Sequence, residues 1–213
     1  MTRGRPPASG LSTAAAFRLS QYLRCIPANA DAGTISSSIL ADFVGVSDAQ
    51  VRRDIAALGH LGQRGVGYDA ATLRDAIRRT LGIDRKWTAV LVGVGNLARA
   101  LLRYRGFQTQ GFDIVALFDS DVTKVGQTVE GHTVLPHEQM AARVQALKVE
   151  LGVITVPAEA AQSVADVLCG AGIKGLLNFA PMLLRVPSKV SLVSVDLSVQ
   201  FEQLAFLVGT ARS

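Results

Sequence analysis

Cysteine is nearly absent from this chain: Cys25 and Cys169 are the only two among 213 residues. Each stands alone inside a predicted helix. Neither a disulfide framework nor a cysteine metal site can be built from them, and a reducing cytoplasm is the expected compartment. Long apolar runs are also missing. No stretch approaches the roughly 18 residues that a membrane span needs, and the opening MTRGRPPASG lacks the apolar centre of a signal peptide. His132, His137, Glu130 and Glu138 fall in a predicted loop and helix start without metal-ligand spacing, and they read as surface residues. No His, Lys or Tyr–Lys pair is placed to serve as acid or base in hydride transfer, and no substrate domain is visible, so an enzyme is not expected.

Charge is present but unevenly shared. Residues 1–86 hold 12 basic against 7 acidic side chains, 12 − 7 = +5, whereas residues 87–213 hold 10 against 10. The whole surplus therefore lies in the first part and points to a polyanionic partner there. The pattern of that part agrees. Thr13–Ile26 reads as a helix with Phe17, Leu19, Leu23 and Ile26 on or near one face, and Ser36–Phe43 as a second, shorter one. Val44-Gly45-Val46 makes a turn. Ser47-Asp48-Ala49-Gln50 then has capping-box form, with Ser47 as N-cap and Gln50 reaching back. The helix it opens places Val51, Ile55 and Leu58 on one side. Gln50 and Arg53, flanked by Arg52, lie on the other, where glutamine suits an adenine edge and arginine a guanine edge or a phosphate. Helix, short glycine turn and helix make the arrangement that enters a DNA major groove. The glycines around Arg64, among them Gly65, predict a hairpin wing with Arg64 at a minor groove, and His60 beside it reads as solvent-facing or packed. Asp69–Leu81 is a connecting helix ended by Gly82.

The second part opens on a nucleotide fingerprint. Thr88–Val92 is a buried strand, Gly93-Val94-Gly95-Asn96-Leu97-Ala98 follows, and Ile114–Phe118 is a second strand ending in Asp119. Gly93 permits the turn, Gly95 lets a pyrophosphate approach the backbone, and Ala98 is small enough for the helix to pack on the sheet. The phosphates would rest on the N–H groups opening the helix Leu97–Tyr104. Asp119 lies 119 − 95 = 24 positions beyond Gly95, close to the ~20 expected of the carboxylate that holds a ribose 2′-hydroxyl, which favours NAD(H) over NADP(H). Strands at Leu151–Val156, Ile173–Phe179 and Leu192–Val195, with a helix at Ala158–Ala171, complete a parallel sheet covered on both faces. The residues alone leave open a regulator answering to another nucleotide such as coenzyme A, and a small NAD-dependent dehydrogenase.

The chain resembles the Rex family of redox-sensing repressors. The matching stretches include Arg18-Leu19…Tyr22-Leu23-Arg24, Gln50–Asp54, Arg64–Tyr68, Arg85-Lys86-Trp87, Gly93–Ala98, Lys124-Val125-Gly126, Thr155-Val156-Pro157, Asn178–Pro181 and Val195-Asp196, in family order from about residue 17 to the C-terminus. The resemblance implies an α/β chain with three parts. These are a winged helix-turn-helix domain with its connecting helix over 1–86, a Rossmann-like NAD(H)-binding domain over 87–196, and a C-terminal helix over 197–213 that reaches across the partner of a homodimer. It implies double-stranded palindromic operator DNA as partner, NADH as the releasing signal with NAD⁺ competing, and no membrane. Carried over by position, Gly93, Val94, Gly95, Asn96, Leu97, Ala98, Asp119 and Lys124 hold the pyrophosphate and adenosine ribose. Tyr104 and Asn178 join them in the cofactor set, with Tyr104 near the nicotinamide. Ser47, Gln50, Arg52, Arg53, Arg64 and Gly65 meet DNA, and Arg24 and Asp196 form a charged switch pair. The chain departs from the pattern at Leu197, where Phe is common, at Arg53 for Lys, and at Asn96 and Ala98 for Arg and Gly.

Overall fold

A computed structural model of the protein describes residues 10–27, 33–63 and 65–210, and the chain divides after Arg85 into two compact units. In the first, helix α1 (Thr13–Cys25) starts at Ser12, whose hydroxyl accepts from the Ala15 N–H. Its buried face is Ala15, Leu19 and Tyr22, continued by Ile26. Phe17, expected on that face, is 66% exposed, because two residues from Leu19 is roughly 200° around a helix. Strand β1 (Thr34–Ile35) leads to α2 (Ser37–Val44), which Ser36 caps and Gly45 ends in the left-handed conformation at φ 75°. Helix α3 (Asp48–Ala56) begins at Ser47 and buries Val51 and Ile55. Strands β2 (Gly62–Gln63) and β3 (Gly67–Asp69) form the expected antiparallel hairpin, and β1 adds to the other edge of β3. Asp69 then caps α4 (Ala70–Leu81), whose Leu73 and Ile77 close the core over Leu19, Leu40, Val51 and Ile55. This is a winged helix-turn-helix.

Among the described residues, one charged group lies inside that core. Asp54 of α3 is 4% exposed. Arg18 grips it with two bonds, Nε to Oδ2 at 2.6 Å and Nη2 to Oδ1 at 2.7 Å. The Tyr22 hydroxyl donates to Oδ2 at 2.9 Å, and the Gln50 amide to Oδ1 at 2.8 Å. Each oxygen thus accepts two donors, the full capacity of a carboxylate. Tyr22, three positions from Leu19, lies on the inward face, and this partner satisfies its hydroxyl there.

In the second unit, β4 (Trp87–Val92), α5 (Asn96–Arg103), the short α6 (Gly106–Thr109) and β5 (Phe112–Asp119) come first. The chain continues through β6 (Thr128–Val129), β7 (His132–Pro136), α7 (Met140–Ala146), β8 (Leu151–Ile154), α8 (Ala158–Gly170), β9 (Gly175–Asn178), β10 (Ser191–Ser194) and α9 (Leu197–Thr210). The sheet order is β10-β9-β8-β4-β5-β7-β6, parallel except for the β6–β7 edge hairpin. His132, expected in a loop, opens β7. Glu130 and Gly131, at φ 47° and 84°, form the two-residue turn that pairs β6 with it. Val90, Val92, Ala116 and Phe118 pack with Ala161, Ala165 and Leu168 of α8. Leu91 and Leu117, pointing the other way, pack with Val94 and Ala98 of the α5 side. Strand β4 has β5 on one side and β8 on the other, so the order reverses there and a crevice opens at its carboxyl end. Helix α9 has no buried residue; Phe201, Leu204, Phe206 and Leu207 all lie exposed.

Asp54→Ala is expected to remove about 3 kcal/mol from the first unit, the scale of breaking a buried charge pair. Burial opposes ionisation of Asp54, but the bonds from Arg18, Gln50 and Tyr22 outweigh it and hold the carboxyl below its usual range. Its contribution is therefore complete above the unfolded value near ~3.9 and lost as pH falls through the lower folded value. Burial, then Asp54, pushes Tyr22 up to about 12, so the tyrosine's contribution is present below ~10 and lost as pH rises through 12. Urea unfolding followed by circular dichroism across pH should lose the acid flank in the alanine variant and keep a reduced alkaline one, since the burial of Tyr22 remains.

Candidate functional site

The crevice beside β4 is built by four residues, Gly93, Thr155, Gly95 and Ala98. Gly93 sits at φ 94°, and a Cβ there would come within 2.7 Å of Val156 Cγ1 and 2.8 Å of the Thr155 carbonyl oxygen. Only glycine makes this turn without strain. The Thr155 hydroxyl lies within hydrogen-bond distance of the Val92 and Gly93 carbonyls, at 3.0 and 2.8 Å, which tethers the end of β4 to the segment after β8. Gly95 is the N-cap of α5 and offers no side-chain cap; a Cβ there would meet nothing within 4 Å. That space lies directly over the loop, where a phosphate group could approach the backbone. Ala98 is wholly buried against the sheet, as its small side chain allows.

Asp119 closes the loop from below. It is 7% exposed, and its Oδ2 accepts from the Val94 N–H at 2.7 Å and from Lys124 Nζ at 3.1 Å. Its Oδ1 accepts from the Asp121 N–H at 2.9 Å. Burial opposes the charge, but the Asp121 and Val94 amides and Lys124 prevail, and the carboxyl is held below its ordinary value. Three donors against roughly four acceptor positions leave one open on Oδ1. Asp119 is thus first a clasp between β5 and the glycine loop, with one acceptor left for a ligand hydroxyl. The cleft has a volume of about 600 Å³ and is lined by Gly93, Gly95, Asp119, Lys124, His137 and Thr155, among others. That volume suits a nucleotide.

The other residues expected at the cofactor are placed differently. Val94 is buried, while Asn96 and Leu97 are exposed on the first turn of α5. Tyr104 caps the far end of α5 and stands edge-on to Phe107, with ring centroids 5.2 Å apart. Asn178 is completely buried at the end of β9. Its Nδ2 donates to the Ala180 and Met182 carbonyls and its Oδ1 accepts from the Ala180 N–H, so it shapes the turn rather than lining the cleft. Asp196 accepts from the Ser198 N–H at 2.9 Å at the start of α9, and Arg24 is exposed in the last turn of α1.

In the first unit, Ser47 caps α3 as expected, accepting from the Gln50 N–H at 3.2 Å. The reciprocal half of the capping box does not form. Gln50 turns its side chain along the helix, where Asp54 supplies a stronger, charged acceptor. Its Oε1 accepts from Arg53 Nη2 at 2.7 Å. Arg52 reaches Ser37 Oγ at 3.3 Å and lies 3.7 Å from Asp48, and both arginines remain exposed. Between α3 and the hairpin runs a groove of about 750 Å³ that includes Arg52, Gly65 and an exposed His60. Gly65 stands at φ 79° in the hairpin turn; Arg64 lies outside the described residues. Among the described residues no helix is long and apolar enough to cross a membrane, and no cluster of His, Cys, Asp or Glu could hold a metal. Sequence reasoning overlooked Asp54, although Val51, Asp54, Ile55 and Leu58 have the spacing of one helix face, and a charge on such a face signals a buried, paired carboxylate.

A winged helix followed by a Rossmann-like unit with an open phosphate loop defines a DNA-binding regulator carrying a nucleotide-binding domain. A family model described as "CoA binding domain" matches residues 84–182, and one described as "Putative DNA-binding protein N-terminus" matches residues 10–56. The redox-sensing transcriptional repressor Rex of Desulfitobacterium hafniense is 48% identical over 180 residues, covering 84% of this chain and 86% of that protein. That of Streptomyces coelicolor is 43% identical over 199 residues, covering 92% and 77%. Among solved structures, RSP in complex with β-NAD⁺ and operator DNA matches with a TM-score of 0.88 at 31% identity, covering 95% of this chain and 94% of that one. RSP with β-NADH matches with a TM-score of 0.85 at 29% identity, covering 95% and 96%. The chain belongs to the Rex family of redox-sensing transcriptional repressors.

The two loop glycines should separate in their effects. Gly93→Ala is expected to destabilise the second unit by about 1–3 kcal/mol through its backbone conformation and clash. Gly95→Ala should leave the urea midpoint unchanged and still weaken dinucleotide binding at least about tenfold, since its methyl enters the space a phosphate would use. Unfolding curves and calorimetric titration check the pair.

Proposed function

We propose that the protein represses transcription by binding a palindromic operator as a homodimer and releases it when NADH, in competition with NAD⁺, occupies the cleft at Gly93–Ala98. The observation carrying this reading is the open glycine loop clasped by Asp119, in a chain of the Rex family. Residues 1–86 act as the DNA-binding domain with its connecting helix and 87–196 as the NAD(H)-binding domain, while 197–213 pack against the partner subunit. The uncovered apolar side chains of α9 support the last assignment. The setting is the cytoplasm.

In the cleft, Gly93, Gly95 and the amides opening α5 at Asn96 and Leu97 receive the pyrophosphate, with Val94 and Ala98 packing the loop against the sheet. Lys124 and the remaining acceptor of Asp119 meet the adenosine ribose. Tyr104 and Asn178 belong to the nicotinamide side, Tyr104 as a direct contact and Asn178 by fixing the turn from Ala180 to Met182. The bound cofactor supplies a ring that is cationic when oxidised and neutral when reduced. Nearby polar groups therefore favour different arrangements with each form, and Arg24 and Asp196 are the charged pair that answers. On the output side, Arg52 and Arg53 of α3 enter the major groove, Ser47 and Gly65 offer backbone and hydroxyl contacts, and Arg64 enters the minor groove. Two α3 helices of a dimer match half-sites only at about one helical turn of DNA, roughly 34–36 Å, so closing the dimer weakens operator binding.

The model name "CoA binding domain" keeps coenzyme A as a second reading, and one assay separates the two. In gel-shift titrations against a palindromic promoter site, NADH should lower operator affinity at least about tenfold, within the usual range of coupling between sites, while NAD⁺ and coenzyme A should not. Equal retention of DNA with NADH and NAD⁺ sinks the sensor. Asp119→Ala should blunt NADH release and leave DNA binding intact. Arg53→Ala should weaken DNA binding and leave NADH affinity unchanged.

A further inference from the structure

The recognition helix carries one residue whose placement does not suit the base-reading role its chemistry first suggests. A glutamine that reads adenine must present both ends of its amide to the base edge. Both ends of Gln50 already hold a protein partner, Nε2 donating to Asp54 Oδ1 at 2.8 Å and Oε1 accepting from Arg53 Nη2 at 2.7 Å, so its one remaining N–H and lone pair are not free to be aimed at a base. The amide cannot flip. A carboxylate only accepts and a guanidinium only donates, so a single orientation satisfies both neighbours.

The anchor of this chain is unusually firm. Asp54 holds four donors from Arg18, Tyr22 and Gln50, so neither oxygen has a free lone pair to exchange partners with. Arg18 and Tyr22 belong to α1, so the position of the Gln50 amide is referred to the helix behind α3 and not to α3 alone. From that fixed amide hangs Arg53, exposed on the outer side of α3. An unheld arginine at that position would sample many rotamers, and docking on DNA would have to select one.

The structure assigns Gln50 the role of a positioning residue that presets the Arg53 guanidinium for operator DNA, through the chain Arg18/Tyr22–Asp54–Gln50–Arg53. The inference rests on the reading of α3 as the groove helix and Arg53 as its contact. It adds that Gln50 contributes to operator affinity only through Arg53.

A double-mutant cycle tests it. The full-length protein is titrated by fluorescence anisotropy against the palindromic duplex that wild-type protein recovers from a random-sequence pool, with circular dichroism and urea midpoints as controls for folding. Gln50→Ala should lower affinity about tenfold, the scale of one side chain left to be immobilised on binding. In an Arg53→Ala background the same change should cost less than about twofold. An equal loss in both backgrounds would mean an independent base contact, and the inference fails; it also fails if Gln50→Ala costs nothing while Arg53→Ala is costly. If Arg53→Ala itself leaves operator affinity unchanged, the reading of α3 falls first and takes the inference with it. Gln50→Met, which keeps the length and removes both polar ends, gives the same cycle should the alanine variant not fold.

Discussion

A carboxylate taken out of water needs a donor on each oxygen, and each unit of this protein is arranged around one that meets the condition. Asp54 and Asp119 are the buried acids among the described residues, at 4% and 7% exposure. An ionised carboxylate without partners in such a place would cost several kcal/mol. Here the requirement for donors becomes an organising device. The donors to Asp54 come from α1 and from its own helix, which fixes the angle at which α3 leaves the core. The donors to Asp119 come from the glycine loop and the turn that follows β5, so one side chain sets the shape of the segment on both sides of the cleft. Hydrophobic burial drives both units to collapse, but it does not direct a loop or a recognition helix. These bonds do.

The two carboxylates differ in how completely they are filled, and the difference follows their tasks. Asp54 has no acceptor left, and nothing in its surroundings needs to change when DNA arrives; its value is rigidity, transmitted outward by Gln50. Asp119 retains an acceptor position, and the loop above it retains open space at Gly95. A site that must receive a ligand keeps some groups unfilled and relies on a neighbour such as Thr155 to hold the backbone in the meantime.

Much of this was legible in the amino-acid sequence. The cap at Ser47 and the stop at Gly82 were read correctly because each satisfies or terminates backbone groups locally; Ser36 and Asp69, expected as first helical residues, are the caps just outside their helices. The loop Gly93–Ala98 and Asp119 at the end of β5 were legible for the same reason, since a tight turn and a strand end are short-range events. What escaped was set by partners distant in sequence. Asp54 and Arg18 are 36 positions apart, and although the face of α3 marks Asp54 as a buried acid in need of a partner, nothing local names Arg18 as that partner. The burial of the Tyr22 hydroxyl depends on that same acid. The capping box failed likewise, because Asp54 and Arg53 offered the Gln50 side chain charged partners where the Ser47 amide offered a neutral one. The β6–β7 hairpin escaped because a two-residue strand and a strand ending in Pro136 carry almost no alternation to detect.

Helix α9 shows the limit of reasoning from one chain. A helix with Phe201, Leu204, Phe206 and Leu207 in water gains nothing from burial within this subunit, and helices of about this length are marginal in isolation. Its apolar residues are not confined to one side either: Phe201 and Leu204, three positions apart, share a face, whereas Phe206 lies roughly 140° around the helix from Phe201. A surface apolar on several sides is stable only when more than one neighbour covers it. The proposed packing against a partner subunit would supply that cover. Asp196, immediately before it, is tied to the Ser198 amide, so the direction in which the helix leaves the sheet is set by the same residue proposed as half of the switch. A change in the partner of Asp196 would then release that amide and loosen the first turn of α9.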